Sequence, residues 1–222
     1  MLSRNPIITI PIFPLNLVLF PNSDLPLHIF EDRYKQMVHF CVHNKQPVGI
    51  ALLKEGKEVG EYATPYNVGT LGYITSTNQN PDGTIEIVVT GKSKFRISEL
   101  LYDKPYLSAT IETIEPSFDN LDRSALEPVK TSIQLLNKLI DQSYGGWARS
   151  YFVENDPQSL IYQGIDLVLQ NLSVPNTVKQ NLLEGETFER QSKLLLTIID
   201  ESVKLFQAEA DKNQPYSGFS KN

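Results

Sequence analysis

The stretch IPIFPLNLVLFPNSDLPLHIFEDRYKQMV, residues 10–38, constrains the fold more than any other part of the 222-residue chain. It is as rich in Ile, Leu, Val and Phe as a membrane span, yet it holds Pro11, Pro14, Pro21 and Pro26. Each proline removes a backbone donor and fixes φ, so the stretch must be short extended pieces joined by bends. Strands are predicted near residues 7–12, 16–20 and 25–29, with FPNSD as the turn between the last two. From Phe30 the period changes. Phe30, Tyr34, Met37, Val38, Cys41 and Val42 form one stripe of an amphipathic helix that ends near Asn44.

The prolines also argue against a secretory signal, whose apolar region is helical and unbroken. No other window reaches the roughly 18 to 20 unbroken apolar residues that a spanning helix needs. A single cysteine, Cys41, leaves no internal disulfide framework and no paired-cysteine motif, which fits a reducing compartment. The expectation is a soluble, cytoplasmic protein. The net charge is −6, and Lys and Arg are scattered singly, so no basic stripe invites a phosphate backbone. Neither nucleic acid nor membrane is expected as a partner.

Downstream, PVGIALL reads as a buried strand, and LGYITST with TIEIVVT as a strand pair whose turn takes its left-handed geometry from Asp82-Gly83. KFRISELL and YLSATIETI supply two more strands, giving a barrel or sandwich pattern up to about residue 116. The character then changes. Leu126, Val129, Ile133, Leu136 and Ile140 keep helical spacing, and DPQSLIYQGIDLVLQNL opens with an Asp cap followed by Pro. PNTVKQNLL predicts a short helix and TFERQSKLLLTIIDESVKLFQAEA a long last one. The fold class is therefore α+β: a β-rich subdomain over 1–118, a helical bundle over 119–212, and a flexible tail over 213–222.

Motifs of chemistry are absent. There is no phosphate-binding GxxxxGK[ST] loop and no GxSxG nucleophile elbow. His39 and His43 lie four apart on one helix face, but Cys41 points away from them with the apolar stripe and no glutamate completes a zinc motif. No metal and no cofactor is assigned, and Cys41 reads as a buried, inert thiol. His28 has Glu31 and Asp32 near it in sequence, acids that also suit a helix N-terminus, and Arg33 and Arg96 are read as pairing with acids between elements. In SYGGWARSYF, Tyr144, Trp147, Tyr151 and Phe152 bring four large aromatics to an interhelical loop. They read either as a cap on the bundle or as a surface for another polypeptide, since Trp and Tyr dominate interface hot spots.

The opening stretch resembles the start of the Lon N-terminal domain, the substrate-recognition domain of the ATP-dependent protease Lon. The resemblance continues through GIALLKEG, NVGTLGYI, DGTIEIVVTGKSKFRI and KPYLSATIE, strongly over residues 7–116 and more loosely through VPNTVKQNLLE. Pro14, Leu15, Pro21, Pro26, Leu27, Phe30, Glu31, Arg33 and Tyr34 occupy its opening motif. Gly69 and Gly72 match the middle, and Gly91, Phe95 and Arg96 the late segment. The resemblance implies a PUA-like pseudobarrel. On the residues themselves these are framework positions: prolines bend the strand path, glycines allow tight turns, and Phe30 and Tyr34 fill the core.

Lon continues into ATPase and serine-lysine peptidase modules, neither of which is found in these 222 residues. The expectation is a non-catalytic binder of unfolded or partner polypeptides, with an adaptor or quality-control role and self-association as a variant. The alternatives are a hydrolase or metal-dependent enzyme built on His28, His39 and His43, and an RNA binder using the PUA-like fold. The acidic balance opposes the latter.

Overall fold

A computed structural model describes residues 7–57, 63–115, 124, 126–143 and 156–212. In chain order its first elements are β1 (Ile7–Leu15), β2 (Asp24–Ile29), α1 (Asp32–Asn44), β3 (Val48–Glu55), β4 (Thr64–Pro65), β5 (Val68–Gln79), β6 (Ile85–Leu101) and β7 (Ser108–Ile114). Helices α2 (Leu126–Ser143), α3 (Pro157–Asn171), α4 (Asn176–Glu184) and α5 (Phe188–Lys212) follow. Contacts divide the chain into two units. One joins Met1–Ser117 with Pro175–Glu186, and the other joins Phe118–Val174 with Thr187–Asn222.

In the first unit two strands change partners along their length. β1 pairs antiparallel with β7 over Ile7 to Pro11 and parallel with β3 over Ile12 to Leu15. β6 pairs with β2 over its first six residues and with β7 from Lys94 onward, while β5 runs along its other side. The pairings pass from β1 through β7, β6, β5 and β3 and return to β1. The result is a pseudobarrel, not a closed barrel, because no single register runs the full length of β1.

Glycine decides where β6 switches. The segment between β1 and β2 folds down onto Gly91, whose amide donates to the Ser23 carbonyl and whose carbonyl accepts from Asn22 N–H. A Cβ at position 91 would lie 2.4 Å from the Phe20 carbonyl oxygen. Gly69 is similarly crowded, by the Ile50 carbonyl at 2.5 Å and the Phe95 ring at 2.6 Å. These framework glycines thus permit close approach of backbone inside strands β5 and β6; they do not form turns, as the sequence suggests. The true turn glycine is Gly83, at φ +82°, with Asp82 accepting from the amide and hydroxyl of Thr84.

Residues 16–20, expected as a strand, form none. Leu19 and Phe20 are buried, but their backbone serves other partners: the Leu19 carbonyl accepts from Thr70 Oγ1, and the Phe20 carbonyl from Ser23 N–H. The two strands predicted at 84–90 and 94–101 are one, β6, because Gly91 carries the chain past the switch without a break. The helix stripe also needs correction at its ends. Tyr34, Met37, Val38 and Cys41 are buried against Phe13, Leu15, Ile29 and Ile87, whereas Phe30 is 52% and Val42 46% exposed. Phe30 precedes the N-cap residue Glu31, so helical periodicity does not aim it.

Helix α4 belongs to the first unit, although the sequence places it with the bundle. Four polar contacts hold its segment to the sheet region. Asn176 donates to the Asn16 carbonyl and Gln180 to the Val68 carbonyl, the fully buried Lys94 donates to the Gly185 carbonyl, and Arg96 pairs with Glu186. Burial pushes the Lys94 ammonium down to about 8, with Glu186 opposing the shift and Arg96 adding to it. In the second unit α2, α3 and α5 pack pairwise. Leu136, Leu160, Val168, Leu195 and Ile199 are buried there. Gly164 admits Leu195 and Ile133 where a Cβ would stand. Asp156 caps α3 through Ser159 N–H, with Pro157 at the first helical position, as the sequence predicts.

Gly91→Ala, whose Cβ meets backbone, is expected to lower stability by about 1–3 kcal/mol. Gly83→Ala, with open space around it, carries only the left-handed strain of about 1–2 kcal/mol. Urea unfolding of both variants checks the order. Lys94 yields a second expectation. Between pH 8 and its ordinary 10.5 the unfolded chain keeps a proton that the folded chain has released, so wild-type stability rises across that window. Lys94→Met removes the titrating group, and melts from pH 7 to 10 should show wild type gaining on the variant by on the order of 2–3 kcal/mol.

Candidate functional site

The second edge of β2 is unpaired among the described residues, and Pro26 lies in this strand with its missing N–H, as edge strands tolerate. Beside β2 and the start of α1 the first unit opens a cleft of about 220 Å³. Its floor is core. Phe13 and Leu15 from β1, Ile29 from β2 and Tyr34 from α1 are all nearly buried and reach it from below. The Phe13 and Tyr34 rings lie 4.1 Å apart between centroids. Leu17, Leu27 and Phe30 form the walls. The half-buried Leu17 and Leu27 pack on the core beneath, while Phe30 stands largely in solvent.

Two polar residues complete the rim, His28 and Glu31. His28 Nδ1 contacts Glu86 Oε1 at 2.5 Å across the β2–β6 pairing, and its ring stacks toward Phe30 with centroids 6.3 Å apart. Glu31 Oε2 accepts from Arg33 Nε at 3.0 Å, and the Arg33 guanidinium lies 4.5 Å from the Tyr34 ring centroid. In sequence the acids nearest His28 are Glu31 and Asp32, which read as suiting a helix N-terminus. The carboxylate that meets His28 is instead Glu86, 58 residues away and brought opposite by strand register.

An exposed phenylalanine over a concave apolar floor can receive a bulky apolar side chain and shield it from water. The cleft holds no residue set of hydrolytic form. His39 and His43 are exposed on α1, and no group of three or more His, Cys, Asp or Glu among the described residues could hold a metal. Cys41 is buried, and burial pushes its thiol up to about 12 against the weaker opposing pull of Lys104.

The chain matches the family model described as the ATP-dependent protease La (LON) substrate-binding domain over residues 9–201. It belongs to the Lon substrate-binding domain family. Among its relatives is the Lon protease of Parabacteroides distasonis, 28% identical over 205 residues that cover 91% of this chain and 25% of that one. The Lon protease of Escherichia coli K12 is 25% identical over 215 residues, covering 93% and 26%. The chain thus spans about a quarter of the length of the curated relatives it matches. In fold it resembles a Lon N-terminal domain protein from Xanthomonas campestris, with a TM-score of 0.62, 21% identity and coverage of 85% of this chain and 98% of that one. The N-terminal domain of Mycobacterium avium complex Lon protease gives 0.63 at 15% identity, covering 87% and 98%.

The family motif is distributed between scaffold and cleft. Pro14 lies in β1 opposite Ala51, and Pro21 and Phe95 are buried. Gly69, Gly72 and Gly91 admit close neighbours, and Arg96 reaches Glu186. Leu15, Leu27, Phe30, Glu31 and Tyr34 converge on the cleft. Reading them only as framework missed that convergence. The proline-bounded LPLHIFE run held the signal, because an aromatic between a strand and a helix cap has no periodic element to bury it. Tyr144, Trp147, Tyr151 and Phe152 lie outside the described residues. No described helix is long and apolar enough to cross a membrane.

The thiol supplies a check on this packing. Cys41 in the folded protein is expected to stay unmodified by Ellman's reagent for hours at pH 8, and to react fully within minutes once urea unfolds the chain.

Proposed function

We propose that this chain is a non-catalytic polypeptide-binding module that holds exposed apolar segments of other proteins in the β2–α1 cleft, in an adaptor or quality-control role. The observation that carries the reading is the open apolar cleft, with Phe30 exposed above a floor of core side chains, in a member of a substrate-binding family. Binding here needs no cofactor: burying one large apolar side chain contributes about 1.5–3 kcal/mol, and neighbouring contacts of an extended segment add to it. The SYGGWARSYF stretch, with Tyr144, Trp147, Tyr151 and Phe152, is proposed as a separate, second polypeptide contact.

The test is equilibrium binding of a fluorescently labelled, reduced and unfolded polypeptide without ATP, followed by anisotropy. Wild type is expected to bind saturably in the micromolar range, and Phe30→Ser about tenfold more weakly with an unchanged melting temperature. Trp147→Ala, which removes the only tryptophan, reports on the second contact separately. Absence of saturable binding by wild type up to several hundred micromolar would sink the proposal.

A further inference from the structure

Resting on that reading, we infer that the β2–α1 cleft selects apolar segments flanked by lysine or arginine, with Glu31 as the residue that receives the cationic flank. Glu31 is the only carboxylate in the cleft lining, and its side chain is only 17% exposed. Arg33 Nε engages one of its two oxygens, Oε2; the other has no partner among the described residues. As N-cap residue of α1, Glu31 makes no side-chain cap bond either. A carboxylate beside an apolar floor, with an oxygen to spare, is poorly served by water alone. It gains most from an N–H donor carried by whatever fills the cleft.

The surroundings favour a cation over a neutral donor. Near Glu31, Asp32 stands in the first turn of α1, Glu86 contacts His28, and Asp82 at the β5–β6 turn lies within electrostatic reach of His28. Against them stand Arg33, paired with Glu31, and Lys35, paired with Asp32. Counting Glu31, four acids stand against these two bases and His28. Asp82 is fully ionised at neutral pH, since hydrogen bonds from Thr84 hold its carboxyl below the usual range, with a smaller contribution from the His28 charge when protonated. An acidic flank on the client would meet this field and leave the Glu31 oxygen unsatisfied. The discrimination is therefore both attractive and repulsive.

The test uses the full chain and two labelled peptides with one Leu- and Phe-rich core, flanked by arginines in one and by glutamates in the other. The Arg-flanked peptide is expected to bind wild type about tenfold more tightly in 0.15 M salt, and Glu31→Gln, which still accepts from Arg33, should cut that preference to about threefold or less. Glu99→Gln removes an exposed carboxylate at the far end of β6 and should leave the preference intact, which separates the cleft from general acidity. Equal binding of the two peptides, or an undiminished preference in Glu31→Gln, overturns the inference. If Phe30→Ser still weakens both peptides in that case, the proposed function survives. If neither peptide binds wild type, both readings fall.

Discussion

The Phe20 carbonyl occupies the space where a side chain at position 91 would stand, and much of the first unit is organised by that single approach. With the loop between β1 and β2 seated on Gly91, β2 is delivered to the first half of β6. The second half is then left to β7. The proline-rich opening thus does not run on as one regular strand. Its prolines keep it from continuing one ladder, and its apolar residues pack into the core, several of them also lining the cleft.

The cleft is a by-product of the same geometry. β2 ends at Ile29, and α1 starts at Asp32 after the N-cap Glu31. Phe30 falls between them, where neither strand alternation nor helical period governs its direction. A large ring is thereby presented to solvent beside Leu27 and Leu17, without a cavity being cut into the core. The site and the scaffold share residues, so Tyr34 can be read as core and as floor with equal justice.

Local pattern made most of this architecture legible in advance. The buried part of the α1 stripe, the Asp82-Gly83 turn and the Asp156-Pro157 helix start each depend on neighbours within a few positions, which a sequence displays directly. The contacts that a sequence does not display share the opposite property. Glu86 meets His28 across 58 residues, Lys94 meets Gly185 across 91, and Gln180 meets Val68 across 112. Nothing around Lys94 in KFRISELL hints that its ammonium is buried, because the carbonyl that receives it follows α4. Residues 16–20 look like a strand for the same reason: their apolar character is plain, but the partners of their carbonyls are set by distant chain.

The membership of Pro175–Glu186 in the first unit bears on how the chain is made. A ribosome delivers residues in order, so every strand of the pseudobarrel has been synthesised well before α4 exists. Until then the Lys94 ammonium, the Val68 carbonyl and the Arg96 guanidinium face water or an improvised partner. The sheet must wait through the synthesis of α2 and α3 for its contacts with the α4 segment. The pseudobarrel is therefore a discontinuous folding unit, and its last piece arrives only when about four-fifths of the chain has been made.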